Sequence, residues 1–252
     1  VTFAVSAIVL SGRKATLSFI SPSAVKCLVH GQLVMLLAGL QFIGLLVPPI
    51  LGGVLWGVVA TVKPQLMLFA PLALIVRRDW PMFAGMCIGC LLMVAASLII
   101  LDPSLWPQWY DALINFNQIV QRGEMVRPIT PASAAASAGL PSIPFLIAGL
   151  AIGTAAIATS APKAEGVYLV ALITAASLLS SPYAHLYDAV GLIPACAVLM
   201  IRGRWVYAVP AGLIFMRTPL IRILSMVFIL FAAFIETRFR VTAGWLGHRL
   251  PE

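Results

Sequence analysis

The sequence predicts an all-α protein, a polytopic bundle of about eight transmembrane helices. Three observations predict it: 62% of the 252 residues are hydrophobic, only 10% are charged, and the mean hydropathy is +1.05. A soluble domain of this length cannot hide so much apolar surface from water. The composition therefore excludes a soluble enzyme, a disordered chain and a secreted disulfide scaffold, and it indicates a single membrane-embedded domain over residues 1–252.

Apolar runs separated by short polar segments give the predicted spans. Residues 50–76 are long enough for one tilted span, which Lys63-Pro64 interrupts. The chain starts at Val1 with an apolar run too short to cross a bilayer, so we expect it to be the C-terminal part of a longer protein. The predicted spans cover residues 33–47, 50–76, 81–101, 143–159, 167–180, 189–201, 206–215 and 220–235.

The charge pattern predicts the orientation of these spans. Lys and Arg exceed Asp and Glu by eight charges, and most of the cations lie in short loops, as the positive-inside rule expects. This placement argues against nucleic acid as a partner. With Arg77 and Arg78 inside, the loops 102–142 and 181–188 are extracytoplasmic and Lys163 is inside. Arg13, Lys14 and Lys26 also fall inside if residues 50–76 form a single span.

The cysteines do not indicate a disulfide framework or a metal site. The four cysteines are too few for a disulfide framework, and Cys87 and Cys90 lie in an apolar run with no His nearby, so we interpret them as packing residues and expect no metal site.

Glycine pairs four residues apart predict close helix packing, because they allow helix backbones to approach. These pairs are Gly53/Gly57, Gly85/Gly89 and Gly149/Gly153.

The extracytoplasmic loop 102–142 contains an amphipathic pattern. Trp106, Trp109, Leu113, Phe116 and Val120 recur at steps of three and four, with polar residues between them. This spacing predicts a helix that lies in the plane of the membrane interface. Such a helix would shape the entrance to a lipid-substrate site, or it would serve only as an anchor.

Lys63 is the first candidate functional residue, because a charge inside an apolar run is costly and marks a functional site by default. Pro64 breaks the helix there and frees backbone carbonyls, and Gln65 adds a second polar group. A lysine and a glutamine at a broken helix suit the binding of an anion. The simpler alternative is a lysine in a loop between two half-helices.

The segment 180–188 is the second candidate, because it places two serines, two tyrosines, a histidine and an aspartate between two apolar runs. His185 and Asp188 are three residues apart, so in a helical turn Asp188 would orient or charge the imidazole. The simpler alternative is a hydrated loop in which Asp188 caps the next helix. A weaker third cluster, His30-Gly31-Gln32, precedes the run 33–47, where Gln32 is either a substrate contact or a cap.

Taken in their order along the chain, these three clusters resemble glycosyltransferase family 87, integral membrane glycosyltransferases of the GT-C class. Three segments carry the resemblance. The first runs from Ser21-Pro22 to His30-Gly31-Gln32, and the second from Gly52-Gly53 through Lys63-Pro64-Gln65 to Arg77-Arg78-Asp79-Trp80. The third runs from Ser181-Pro182-Tyr183 to Tyr187-Asp188. The family includes polyprenyl-phosphate-mannose-dependent mannosyltransferases of actinobacterial lipids. The resemblance therefore implies a GT-C-like bundle in the inner membrane of a bacterium, with an extracytoplasmic active site.

The resemblance also implies the chemistry. The donor would be a hexose linked to a polyprenyl phosphate, with mannose as the expected hexose. The acceptor would be a hydroxyl of a lipid or glycan. Transfer would invert the anomeric centre in one displacement, with membrane lipids as partners and no cofactor identified. Cationic or N–H groups must stabilise the departing phosphate. We assign Lys63, Gln65, His185 and Tyr183 to the phosphate or the sugar, and Asp188 to the support of His185.

The catalytic base is not among these residues. The family usually carries it as Asp or Glu in the first outer loop, and we expect that segment upstream of Val1. The outer carboxylates here are Asp102, Asp111, Glu124 and Asp188, and none matches the motif position. Two other functions stay open: a transporter or anion-binding membrane protein, for which inverted repeats would be expected, and an inactive remnant.

Overall fold

The computed structural model describes residues 32–119, 129–164 and 166–192. All regular structure in these residues is helical, so the predicted all-α class is confirmed for them. Short 3-10 helices cover Pro64–Leu66, Ala161–Lys163 and Leu186–Leu192. The α-helices are α1 Val34–Ile43, α2 Pro49–Val62, α3 Ala70–Arg77, α4 Trp80–Ile100, α5 Leu105–Ile119, α6 Pro131–Ser137, α7 Ile143–Ser160 and α8 Val167–Leu179.

The predicted glycine pairs form the closest helix contact of the described bundle. A Cβ built on Gly53 would overlap the Met82 carbonyl oxygen, and one on Gly57 would lie 2.8 Å from the Cys90 nitrogen. Gly85 and Gly89 meet α2 in the same way. Residue numbers rise together along both helices, so α2 and α4 run in the same direction. The interpretation of these glycines as packing residues is confirmed.

Residues 50–76 are not a single span, and this corrects the prediction from the sequence. Since α2 and α4 are parallel neighbours, the chain between them must return to its starting level. It turns after Lys63 and again at Arg78, whose φ of 58° places it in the left-handed region. The cause is Pro64, which ends α2 because it has no N–H to donate. The condition that placed Arg13, Lys14 and Lys26 inside is therefore not met, and these three residues lie outside the described ranges.

The helix α8 lies at the centre of the bundle, and all 13 of its residues are buried. It runs antiparallel to α7, because Ser180 at its end donates a hydrogen bond to the Gly149 carbonyl over 2.7 Å. A Cβ on Gly153 would meet the Phe69 ring at 2.7 Å. The third predicted glycine pair is thus also used for packing.

Two contacts define the two ends of the bundle. At one end, Arg77 donates from Nη1 to the carbonyl oxygens of Ala161 (2.7 Å) and Ala164, which joins the turn after α3 to the turn after α7. At the other end, the Ile129 N–H donates to the Ala184 carbonyl over 3.4 Å. The loops 102–142 and 181–188 therefore meet at one end, and the cations Arg77, Arg78 and Lys163 lie at the other.

Within the described ranges, two helical stretches are long and apolar enough to cross a membrane, namely Trp80–Ile100 and Ile143–Lys163. The first presents apolar side chains outward, with Ile99 83% and Ile100 78% exposed. Three shorter apolar helices, α1, α2 and α8, accompany them. The predicted spans 206–215 and 220–235 lie outside the described residues, so the count of about eight stays a prediction.

The predicted amphipathic helix in the long loop is present as α5, and Trp106 contacts Trp109 edge-to-face with ring centroids 6.2 Å apart. Both rings are exposed, as is Tyr110. Val120 lies outside the described residues. The position of α5 at a membrane interface stays a prediction.

Candidate active site

Lys63 lies at the point where α2 ends. Its N–H still donates to the Val59 carbonyl over 2.9 Å, but its backbone has left the helical region, with φ of −146° and ψ of 77°. Pro64 then begins the 3-10 helix Pro64–Leu66. The helix is broken at Lys63, as expected. Lys63 lies in a turn between two helices, as in the simpler alternative, and not in the middle of one span.

The segment after α8 closes on itself through Asp188. The His185 N–H donates to Asp188 Oδ2 over 2.8 Å, and the Asp188 N–H donates to the His185 carbonyl over 2.9 Å. Asp188 thus caps the 3-10 helix Leu186–Leu192 from within its first turn, as the third residue of a capping box does. The simpler alternative is met only in that the Asp188 carboxylate caps this helix, because Asp188 is fully buried and lies inside the helix rather than at the N-cap of a hydrated loop.

Lys63 and this segment meet, although they lie 125 positions apart in sequence. The Lys63 ammonium forms an ion pair with Asp188 Oδ1. The Asp188 side chain is fully buried and that of Lys63 is 16% exposed. Asp188 therefore uses both oxygens, one on the ammonium and one on the His185 backbone.

Tyr187 completes the cluster. The Lys63 Nζ lies 4.6 Å from the centroid of its ring, within cation–π range. The His185 imidazole stacks on the same side chain, with centroids 4.9 Å apart and planes at 26°. Lys63, His185, Tyr187 and Asp188 are hereafter the ionic cluster. Asp188 accepts the backbone N–H of His185, while its predicted support of the imidazole stays a prediction.

The other predicted site residues lie around the ionic cluster. Tyr183 precedes His185 by two positions, and burial, followed by the charge of Asp188, raises the pKa of its phenol. Gln65 is partly buried in the 3-10 helix that starts one residue after Lys63. Gln32 is partly buried just before α1, which packs against the 3-10 helix Leu186–Leu192. His30 and Gly31 lie outside the described residues.

An apolar groove of about 610 Å³ begins beside Lys63. The two residues before Lys63, Thr61 and Val62, form one wall, and α4 and α5 form the others through Met93, Ser97, Trp106 and Trp109. The amphipathic helix thus borders a groove whose wall includes Val62, the residue directly before Lys63. The predicted role of α5 at the entrance to a lipid-substrate site stays a prediction.

Gln41 is a polar residue of this region that was not predicted from the sequence. Its side chain is fully buried in α1, and Nε2 contacts the Met67 sulfur at 3.0 Å and lies 3.4 Å from the Leu66 carbonyl. Gln41 therefore ties α1 to the turn that carries Lys63. The signal was available, since Gln41 is the one polar side chain in the apolar run 33–47.

Three of the four outer carboxylates are described. Asp102 is exposed and accepts the Ser104 N–H over 2.8 Å, which lowers the pKa of its carboxyl, and Asp111 is also exposed. Asp188 is committed to the ionic cluster, and Glu124 lies outside the described ranges. Cys87 faces outward, while the Cys90 thiol contacts the Gly57 carbonyl at 3.6 Å, within the packed seam. Among the described residues no group of three or more His, Cys, Asp or Glu could hold a metal ion.

An all-helical, apolar bundle with buried ionic residues at one end is the architecture of an integral membrane protein with a polar site. A sequence model of glycosyltransferase family 87 matches residues 2–182, and the chain belongs to this family. It is therefore a glycosyltransferase, which takes a sugar from a donor to a glycan or lipid acceptor. No curated protein and no solved structure matches the chain.

Proposed function

We propose that this glycosyltransferase moves a hexose, which we take to be mannose, from a polyprenyl phosphate to a lipid or glycan hydroxyl. The observation that carries the proposal is that Thr61 and Val62, which directly precede Lys63 of the ionic cluster, form part of the wall of the apolar groove. A polyprenyl-phosphate sugar has an anionic linker beside a long apolar chain. Lys63 belongs to the ionic cluster and directly follows two residues of the groove wall, which suits both parts of such a molecule.

Lys63 retains the capacity to bind a phosphate while it is paired with Asp188. An ammonium has three N–H donors, and Asp188 Oδ1 takes one of them. The π face of Tyr187 attracts the ammonium without accepting a conventional hydrogen bond. The partial exposure of Lys63 leaves a path for a phosphate oxygen to reach the remaining donors.

The reaction we propose is a single displacement with inversion at the anomeric carbon. The acceptor hydroxyl gives its proton to a general base as its oxygen forms a bond to that carbon, and the bond from the carbon to the phosphate oxygen breaks. The electron pair leaves with the polyprenyl phosphate, whose negative charge grows as the bond lengthens. Lys63 and His185 would stabilise this charge, and Gln65 and Tyr183 would bind phosphate or sugar hydroxyls. Asp188 would hold both groups in place rather than take the proton of the acceptor.

We further propose that the end with the ionic cluster faces the extracytoplasmic side of a bacterial inner membrane. The cations Arg77, Arg78 and Lys163 lie at the opposite end, where the positive-inside rule places cations in the cytoplasm. A lipid-linked donor in the outer leaflet would then reach the groove from the side, past α5.

The test is transfer by the purified full-length protein in nanodiscs, with polyprenyl-phosphate-mannose as donor and membrane glycolipid as acceptor. The wild type is expected to form a mannosylated product whose anomeric configuration is opposite to that of the donor. The double variant Lys63→Met with Asp188→Asn, which removes the ion pair as a whole, and the single variant His185→Ala are expected to lose transfer and to insert normally, while Lys163→Ala at the other end retains it. Inactivity of the wild type, or wild-type turnover in both site variants, would overturn the proposal.

A further inference from the structure

Tyr187 contacts both residues that the proposed function assigns to the donor phosphate. Its ring lies 4.6 Å from the Lys63 Nζ and is stacked at 4.9 Å on the imidazole of His185. Lys63 and His185 reach this ring from opposite parts of the chain, α2 and the segment after α8. The ring is thus a shared surface for two groups that the backbone does not connect.

The physical effect of such a ring is to restrict motion without consuming hydrogen-bonding capacity. A lysine side chain has four rotatable bonds, and ordering it at the moment of binding costs conformational entropy. The negative face of an aromatic ring attracts an ammonium, and a stacked neighbour fixes the plane of an imidazole. A ligand that meets two groups already ordered binds more tightly than one that must order them.

We propose that Tyr187 is a positioning residue, whose ring holds the Lys63 ammonium and the His185 imidazole towards one phosphate of the lipid-linked donor. This inference rests on the proposed function for the identity of the ligand. It assigns the effect to the aromatic ring and not to the hydroxyl. Tyr187 acts through Lys63 and His185, so its loss weakens the use of the donor and leaves the use of the acceptor unchanged.

The matched variants are Tyr187→Phe, which keeps the ring, and Tyr187→Leu, which removes it at similar hydrophobicity. In steady-state transfer by the full-length protein, Tyr187→Leu is expected to raise the donor KM by about 2- to 30-fold, the range of a cation–π contact. The acceptor KM is expected to stay constant, and Tyr187→Phe should remain within about 2-fold of wild type. A donor KM that is the same in the Leu and Phe variants would overturn the inference, as would a loss confined to kcat.

A second measurement needs no transfer activity. The acylation rate of the Lys63 amine by acetic anhydride is followed by mass spectrometry, with the exposed Lys163 as an internal control. Without the ring, Lys63 is expected to react several-fold faster in Tyr187→Leu than in wild type or Tyr187→Phe, at an unchanged rate for Lys163. Equal Lys63 rates in the Leu and Phe variants would show that the ring does not hold the ammonium. If the wild type transfers no mannose, the proposed function fails, and the acylation rates still decide the role of the ring.

Discussion

The Lys63 ammonium pairs with the Asp188 carboxylate and so fastens the end of α2 to the segment after the central helix α8. Neither partner is replaceable alone. Asp188 is fully buried, and its second oxygen accepts the His185 N–H over 2.8 Å. The ion pair therefore determines both where the ammonium lies and how the His185 segment is closed.

Loss of one partner of this ion pair is expected to destabilise the protein more than loss of both. Lys63→Met leaves Asp188 buried without a counter-charge, at a cost of roughly 3–5 kcal/mol. Combining it with Asp188→Asn removes both charges and keeps an oxygen for the His185 N–H, so the double variant should recover most of that loss. Unfolding in detergent micelles measures the free energies of the wild type, of the single variants Lys63→Met and Asp188→Asn, and of the double variant.

Lys163→Met is the control for this cycle, because Lys163 is exposed and should change the free energy of unfolding by less than about 0.5 kcal/mol. Additive effects of the two substitutions would mean that Lys63 and Asp188 do not interact.

The two ends of the bundle are expected to face opposite sides of the membrane. In a variant whose four native cysteines are replaced by serine, Ala138→Cys and Lys163→Cys introduce single thiols at exposed positions at opposite ends. A membrane-impermeant maleimide added to intact cells should label Cys at position 138 and spare position 163 until the cells are lysed. The reverse pattern would place the ionic cluster in the cytoplasm.

The glycine contact between α2 and α4 is expected to tolerate no side chain. Gly57→Ala would place a Cβ against backbone atoms of α4, including the Gly89 Cα at 2.9 Å, and backbone cannot move aside as a flexible side chain does. We expect a loss of roughly 1–3 kcal/mol in the free energy of unfolding, typical of overpacking. The control is Ala95→Leu, which enlarges an exposed residue of α4. Equal unfolding of the two variants would contradict the close approach of these helices.

Replacing Arg78 by glycine is expected to stabilise the protein. It occupies the left-handed position at the end of α3, where its N–H donates to the Ile75 carbonyl and the Asp79 N–H donates to the Leu74 carbonyl, both over 3.0 Å. This is the Schellman arrangement that favours glycine. Arg78→Gly should raise the free energy of unfolding by roughly 0.5–1 kcal/mol, because glycine adopts a positive φ without strain. Thermal unfolding of Arg78→Gly and Arg78→Ala tests this, and equal stability of the two variants would contradict it.

The sequence predicts the separate parts of the site but not their pairing. Lys63 and the His185–Asp188 segment each interrupt apolar runs, and the cost of polar groups in such runs makes them visible in the sequence. Their contact depends on the reversal of the chain after Lys63. Apolar composition cannot distinguish that reversal from a kink, since a proline produces either one.

The packing glycines were predictable for a related reason. A spacing of four residues places Gly53 and Gly57 on one helix face whatever the partner is, so the sequence alone predicts a face at which another helix can approach closely. The role of Gln41 was equally accessible, because a lone amide in an apolar run meets the same criterion as Lys63. The contact of Tyr187 with Lys63 was not accessible, since it follows from the tertiary fold.

The central claim is that the Lys63 ammonium binds the phosphate of a lipid-linked donor, and the affinity for polyprenyl phosphate tests it most directly. The double variant Lys63→Met with Asp188→Asn is the sharpest probe, because it removes the ammonium without changing the net charge of the pair. In nanodiscs, we expect its Kd for polyprenyl phosphate to be about 10- to 100-fold above that of wild type, the range of a charge-assisted hydrogen bond, with Lys163→Met unchanged. A Kd equal to that of wild type in the double variant would contradict the account.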